Sequence, residues 1–392
     1  MPRIFRKIQN SFQKNRAEAI SLLTGKMPNF VYGIKNFKDI PVFCFHSAQY
    51  PLFEYQLQFL NKNGYKTLTA DELYERCIDK RYKNSGKEIA LTFDDGMASV
   101  WTVAYPLLEK YEHKIIIFIL PGLTKEGRKA GATIDDATDE EAKIDLSNRD
   151  YSDSPLCNWN EIEIMHRSGL VDFQSHGMSH TLISTSPAIV DFIHPGFDVF
   201  HYGNIHIPVY LDFDGNDSRE KILGHPVYQH APRLSGKARY FDPIELRQAC
   251  AAFVEKNGGE SFFKIKNWRS KLAEVAKAHH INFNKQQYES PEQVAAEAVK
   301  EIKTSRMEIE NRLNKKVSHF CFPWFVGSHL SVETLSEFGY LSAHMGVING
   351  FIKRSSSKYP VLINRVQQEY LQALPGQESK SLLKVFISKI HR

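Results

Sequence analysis

Two stretches of this 392-residue chain combine residue types that can do chemistry together. The first is Ile89-Ala90-Leu91-Thr92-Phe93-Asp94-Asp95-Gly96, an apolar run that ends on two adjacent carboxylates and a glycine. The run reads as a buried strand, and the glycine permits a sharp exit turn. Neighbouring aspartates repel each other unless a cation sits beside them, and a metal ion is the simplest candidate. The second stretch is Ser175-His176-Gly177-Met178-Ser179-His180, which follows the strand-like Leu170-Val171-Asp172-Phe173. His176 and His180 are four apart, so one helical turn would bring both imidazoles to one face. One carboxylate and two histidines make a three-ligand site with room for water and substrate. Each string alone has an ordinary explanation. Thr-Phe-Asp-Asp-Gly is also a strand followed by a type I turn, and a lone His-x-x-x-His pair is more often two satisfied or surface histidines. Their joint occurrence, each after a strand, is what points to a metal site.

The elements that must position these residues alternate strand and helix, the pattern of a mainly parallel sheet or barrel with covering helices. Pro41 to His46 reads as the first strand, followed by a helix face of Phe53, Leu57 and Leu60. Thr69 with Glu72, and Asn158 with Glu161, read as helix-capping boxes. Lys114 to Leu120 is a fully apolar strand, and residues 123–155 read as a long polar loop. Residues 186–290 break the rhythm and are expected to form an insertion over the site, with one helix near 268–275. Regular order resumes at Ser290-Pro291-Glu292-Gln293, a helix start. That helix is expected to reach Leu313, followed by strands at Val317–Phe322 and Val361–Ile363.

Hydrophobic and charged contents of 42% and 24% are ordinary for a globular protein. No run approaches the roughly 18–20 apolar residues of a membrane span. The five scattered cysteines form no Cys-x-x-Cys pair, which fits a reducing compartment and gives no redox or zinc-finger signal. With no apolar run behind the first basic residues, the expected location is cytoplasmic. Residues 1–16 and 380–392 together carry nine basic side chains and no acid, so the rest of the +5 chain is net acidic. That placement argues against nucleic acid as a partner. Both ends are amphipathic and are expected either to pack on the fold or to touch an anionic membrane, at its inner face. The expected organisation is a basic segment over 1–36, a main domain over 37–375 with the 186–290 insertion, and a basic tail over 376–392.

Thr92-Phe93-Asp94-Asp95-Gly96 and His176-x-x-x-His180 resemble the first two motifs of the NodB-type polysaccharide deacetylases, carbohydrate esterase family 4. Phe45-His46, Gly64-Tyr65-Lys66 and Phe322-Pro323-Trp324 fall in the same order. The resemblance covers roughly residues 40–185 and 290–370. It implies a deformed (β/α) barrel that removes acetyl groups from carbohydrate with one divalent metal, zinc or else cobalt, nickel or manganese. It implies further that Asp95, His176 and His180 hold the metal and that Asp94 is the general base.

Two departures from the family pattern stand out. Where many members have Arg-x-Pro-Tyr, this chain has Cys321-Phe322-Pro323-Trp324, leaving Pro323 and Trp324 as candidate sugar contacts or core. Where the family has Leu-x-x-His for the acid, it has Leu362-Ile363-Asn364-Arg365. Arg365 is expected to reach Asp94 from the other side and replace the missing arginine. A guanidinium is no general acid at neutral pH, so His46 and His344 become candidates for that role. The main expectation is a carbohydrate de-N-acetylase. The alternatives are a deformylase or O-deacetylase on the same scaffold, or a non-catalytic sugar-binding relative.

Overall fold

A computed structural model describes residues 20–34, 39–79, 81–82, 85–127, 129–152, 154–197, 222–279, 287–346, 359–382 and 384–385. Most of the two basic amphipathic ends therefore lies outside the described residues. The chain divides into two units, one of residues 1–178, 302–325 and 335–392, the other of residues 179–301 and 326–334.

The first unit is a closed barrel of seven parallel strands. In chain order its strands are β1 (Val42–Phe45), β3 (Glu88–Asp95), β4 (Ile115–Ile119), β5 (Val171–Ser175), β8 (His319–Cys321), β9 (Ser342–Gly346) and β10 (Val361–Gln367). They pair in the ring order β1-β10-β9-β8-β5-β4-β3, and β3 closes the ring by pairing with β1, Phe45 opposite Phe93. The short β2 (Lys66–Thr67) pairs with the start of β3 outside this ring. Strands flanked on both faces must be apolar throughout, and β4 is Ile-Ile-Ile-Phe-Ile with all five residues buried. Inside, Val42, Ala90, Ile116, Phe118, Cys321 and Ile363 pack together.

Both expected capping boxes are present, Thr69 on Glu72 and Asn158 on Glu161. The second is tied into the fold. The fully buried Glu161 accepts from Nη1 and Nη2 of Arg149, at 2.6 and 3.0 Å, and from the Gly131 amide at 3.0 Å. The helix Pro291–Leu313 starts and stops as expected. The 123–155 stretch is more ordered than a loop. It holds the helix Glu140–Ser147, whose first turn is capped by Asp139 accepting from the Ala142 amide at 2.8 Å.

The second unit, residues 179–301 and 326–334, takes in the whole 186–290 stretch read as an insertion. Its described residues include an antiparallel pair, β6 (Leu182–Phe192) with β7 (Pro226–Pro232), and the helix Ile244–Lys256 besides Trp268–Ala278, the one helix expected between 186 and 290. Phe192, Tyr228, Leu246, Phe262, Trp268 and Leu272 belong to a core of its own. Within it, Arg233 makes a two-pronged ion pair to Glu289 at 2.7 and 2.8 Å.

Candidate active site

Parallel strands put all their carboxyl ends on one side of a barrel, so residues distant in sequence converge there. Asp94 and Asp95 end β3, His176 follows β5, Cys321 ends β8 and His46 follows β1. Asp95 has φ 68° and Gly96 φ 74°, so the chain turns sharply at the carboxylates. A Cβ on Gly96 would meet Ile119 Cγ2 at 3.0 Å in a backbone conformation that side chains rarely adopt. An aspartate held left-handed costs about 1–3 kcal/mol, a strain found mostly where function demands it.

Asp95, His176 and His180 offer ligand atoms that all lie within 4.8 Å of one another, and all three are buried. The histidines do not meet as one turn of helix, which corrects that expectation. Residues 176–180 are irregular, with Gly177 at φ 84° and His180 at φ 54°, and these left-handed steps replace the helical turn. His176 Nδ1 is 2.9 Å from the Cys321 carbonyl, which only accepts, so Nδ1 carries the proton and Nε2 keeps its lone pair. That Nε2 stands 3.5 Å from Asp95 Oδ1. Two ligands of one tetrahedral zinc are about 3.4 Å apart, given bonds of about 2.0–2.1 Å. Burial first, and then the Asp94 charge, push the Asp95 carboxyl up to about 6. A cation would relieve both effects. The donor set thus fits a divalent ion of the zinc type, with Nδ1 of His176 fixed by an outer partner.

Asp94 is held from both sides. Arg365 donates from Nη1 to Oδ1 at 2.7 Å and from Nη2 to Oδ2 at 2.8 Å. Nη1 also lies 3.0 Å from Thr92 Oγ1. The pair is buried, at 0% and 3% side-chain exposure. Two thiols flank the same carboxylate, Cys321 on Oδ1 and Cys44 on Oδ2, each at 3.6 Å. Burial would raise the Asp94 carboxyl, but the Arg365 guanidinium overrides it and holds the group well below the usual carboxylate range. Arg365 thus lies where the sequence placed it. Cys321, at the position of the missing arginine, touches the Arg365 head group instead, with Sγ 2.9 Å from Nη2. The thiol contacts were not foreseen, and nothing in the residue pattern around Cys44 marks them.

The two acid candidates separate. His46 is exposed and belongs to a cluster with Cys44 and Asp94. His344 has no exposure and packs against Phe118, ring centroids 4.7 Å apart and planes tilted by 53°. Burial, reinforced by Arg365, lowers its pKa well below the usual imidazole value. An enclosed, uncharged imidazole cannot hand a proton to a substrate, so His344 is corrected from acid candidate to interior residue. Pro323 is buried, and Trp324 is half-buried with φ 58° at the end of β8.

Among known proteins, residues 81–189 match the family model described as polysaccharide deacetylase. YxkH of Bacillus subtilis (strain 168), named as a polysaccharide deacetylase, is 40% identical over 68 residues, 17% of this chain and 24% of that one. The poly-beta-1,6-N-acetyl-D-glucosamine N-deacetylase of Escherichia coli (strain K12) is 22% identical over 215 residues, 54% of this chain and 27% of that one. The chain thus spans about a quarter of the length of these relatives. A solved de-N-acetylase structure from Aggregatibacter actinomycetemcomitans aligns over 88% of this chain and 99% of its own, at 14% identity and a TM-score of 0.48. The stretch that matches the polysaccharide deacetylase family model, residues 81–189, carries all four of Asp94, Asp95, His176 and His180.

Proposed function

We propose that this protein is a metal-dependent hydrolase that removes N-acetyl groups from a carbohydrate rich in N-acetylglucosamine. The observation that carries this reading is the buried Asp95–His176–His180 group beside an aspartate clamped by Arg365. The family match over the same residues and the activity named for the Escherichia coli relative support it.

Asp95, His176 and His180 would hold the ion, which when bound supplies a Lewis acid for the acetyl oxygen and lowers the pKa of water. Asp94 takes the proton from the attacking water. Arg365 keeps that carboxylate ionised and aimed, trading proton affinity for a fixed direction. The leaving amine needs a proton in return, and His46 is the exposed imidazole beside Asp94 that can give it. Trp324, at the β8 end, is available as a stacking platform for a sugar ring. The protein is proposed to act in the cytoplasm, its basic ends holding it to an anionic membrane face.

The test is acetate release from an N-acetylglucosamine oligomer, comparing metal-loaded protein, chelated protein and Asp94→Asn. Acetate release from the loaded protein only is expected. Equal release by all three would refute the reading. Release from an O-acetylated or N-formylated sugar, with none from the N-acetyl oligomer, would move the assignment to the alternative bond.

A further inference from the structure

A hydrogen-bonded column crosses the barrel interior below the site. It begins at Asp71, whose side chain is 71% exposed, and continues through three residues with no exposure, His319, Ser342 and His344. Asp71 Oδ1 is 2.9 Å from His319 Nε2, and His319 Nδ1 is 2.7 Å from Ser342 Oγ. Ser342 Oγ is 3.3 Å from His344 Nε2. Buried polar groups are expensive unless satisfied, and three linked in one row are a large outlay for an apolar core.

The direction of each bond follows from the carboxylate. The hydrogen bond from His319 holds Asp71 below its usual range, so Asp71 is ionised and only accepts. A neutral His319 then donates from Nε2 and presents a lone pair at Nδ1. Ser342 donates its hydroxyl proton to that lone pair. The Ser342 oxygen then accepts from His344, which must carry its proton on Nε2. The far nitrogen, His344 Nδ1, is left as an acceptor, and among the described residues it has no protein hydrogen-bond partner.

The neighbouring strand brings the site next to His344. In the register of β9 with β10, His344 lies opposite Ile363 and Arg365 opposite Gly346. Arg365 is thus the diagonal neighbour of His344, two residues further along the parallel ladder. Both side chains lie against the same Phe118 ring, His344 at 4.7 Å and the Arg365 Cζ at 5.6 Å from its centroid. Arg365 Nε is likewise a buried nitrogen with no protein partner. An acceptor and a donor, both unspent, thus sit in adjacent layers.

We propose that Asp71, His319 and Ser342 are positioning residues that fix His344 in its Nε2–H form, so that an imidazole lone pair rather than an N–H faces the guanidinium that clamps Asp94. The reverse tautomer would set a donor against the cationic group and loosen its aim at the carboxylate. The effect on turnover rests on the function proposed above, whereas the tautomer itself does not.

The test is a ring-nitrogen NMR spectrum of the full chain labelled with ¹⁵N-histidine, with the His344 signals assigned by loss in His344→Gln. Nε2–H with a bare Nδ1 is expected in the native protein. Ser342→Ala and Asp71→Leu, the latter at the surface, should both give mixed tautomers. Acetate release from an N-acetylglucosamine oligomer should fall about 10–100-fold in kcat with KM little changed, the scale of lost outer-sphere partners. Asp71→Asn, which keeps an accepting oxygen, should restore both readings. A native Nδ1–H form, or a tautomer that ignores both Ser342→Ala and Asp71→Leu, would overturn the proposal. If the oligomer is not hydrolysed at all, the functional reading fails and the tautomer still decides this one.

Discussion

Replacing Arg365 with methionine should cost stability in a way that depends on pH. The native pair is buried on both sides and bonded twice, so Arg365→Met leaves Asp94 enclosed without its cation. Asp95 sets the scale of the effect: it has comparable burial, Arg365 is the weakest of the charges acting on it, and its carboxyl sits at about 6. An unfolded aspartate titrates near 3.9. If Asp94 rises to the value of its neighbour, keeping it ionised at pH 7.5 costs about 3 kcal/mol. That falls in the range of about 3–5 kcal/mol for breaking a buried ion pair. The two carboxylates then titrate as a pair. The sign is set by the raised folded value: between about pH 4 and 6 the folded variant binds more protons than the unfolded chain, so its stability increases as pH falls. The native Asp94, held below the usual range, loses nothing until pH drops below about 4. Urea unfolding with chelator present, at pH 7.5 and 4.5, is the assay. About 2 kcal/mol of the deficit should be recovered at pH 4.5. A deficit equal at both values would mean that methionine merely packs badly, and the electrostatic reasoning would be wrong.

The joint change His176→Ala and His180→Ala should abolish stoichiometric zinc in metal analysis of purified protein; full occupancy would place the metal elsewhere. Asp94→Asn should keep the metal and lower deacetylation by roughly 10²–10⁴-fold, the usual scale for a lost general base. Lost metal in that variant would make Asp94 a ligand. Glu161→Ala strands the half-buried Arg149 and leaves the Gly131 amide unbonded, so urea unfolding should show a loss of about 3–5 kcal/mol. Vesicle sedimentation should show anionic lipid binding by the full chain and none after removal of residues 1–16 and 380–392. Equal, negligible binding by both would remove the membrane proposal.

Much of the barrel was legible because its strands are apolar throughout and its helices carry side-chain caps. β4 and the Thr69–Glu72 box are read from local chemistry alone. Arg365 was legible for another reason: parallel strand ends must converge, so a cation at the end of the last strand could replace one missing at Cys321. The backbone path between the histidines was not legible. A four-residue spacing suggests a helical turn, and only the left-handed steps at Gly177 and His180 reveal the alternative. Thr138-Asp139-Glu140-Glu141 did carry a helix-start signal, lost against the polarity of the surrounding stretch. The Asp71–His319–Ser342–His344 column had no sequence signal, because its members come from three elements and meet only through barrel closure.

The clamp on Asp94 also sets an order of events during synthesis. Asp94 and Arg365 are separated by 271 positions, and Arg365 arrives on β10, which fills the gap between β9 and β1. A nascent chain can lay down β1, β3 and β4 early, since domains assemble from the amino-terminal side as they emerge. Until β10 docks, the two carboxylates at the end of β3 have no guanidinium, and their repulsion disfavours a sealed interior. The partial barrel should therefore remain open and hydrated around Asp94 while translation proceeds. Docking of β10 then brings the guanidinium to Asp94 and closes both remaining seams of the ring, to β9 and to β1, in one step.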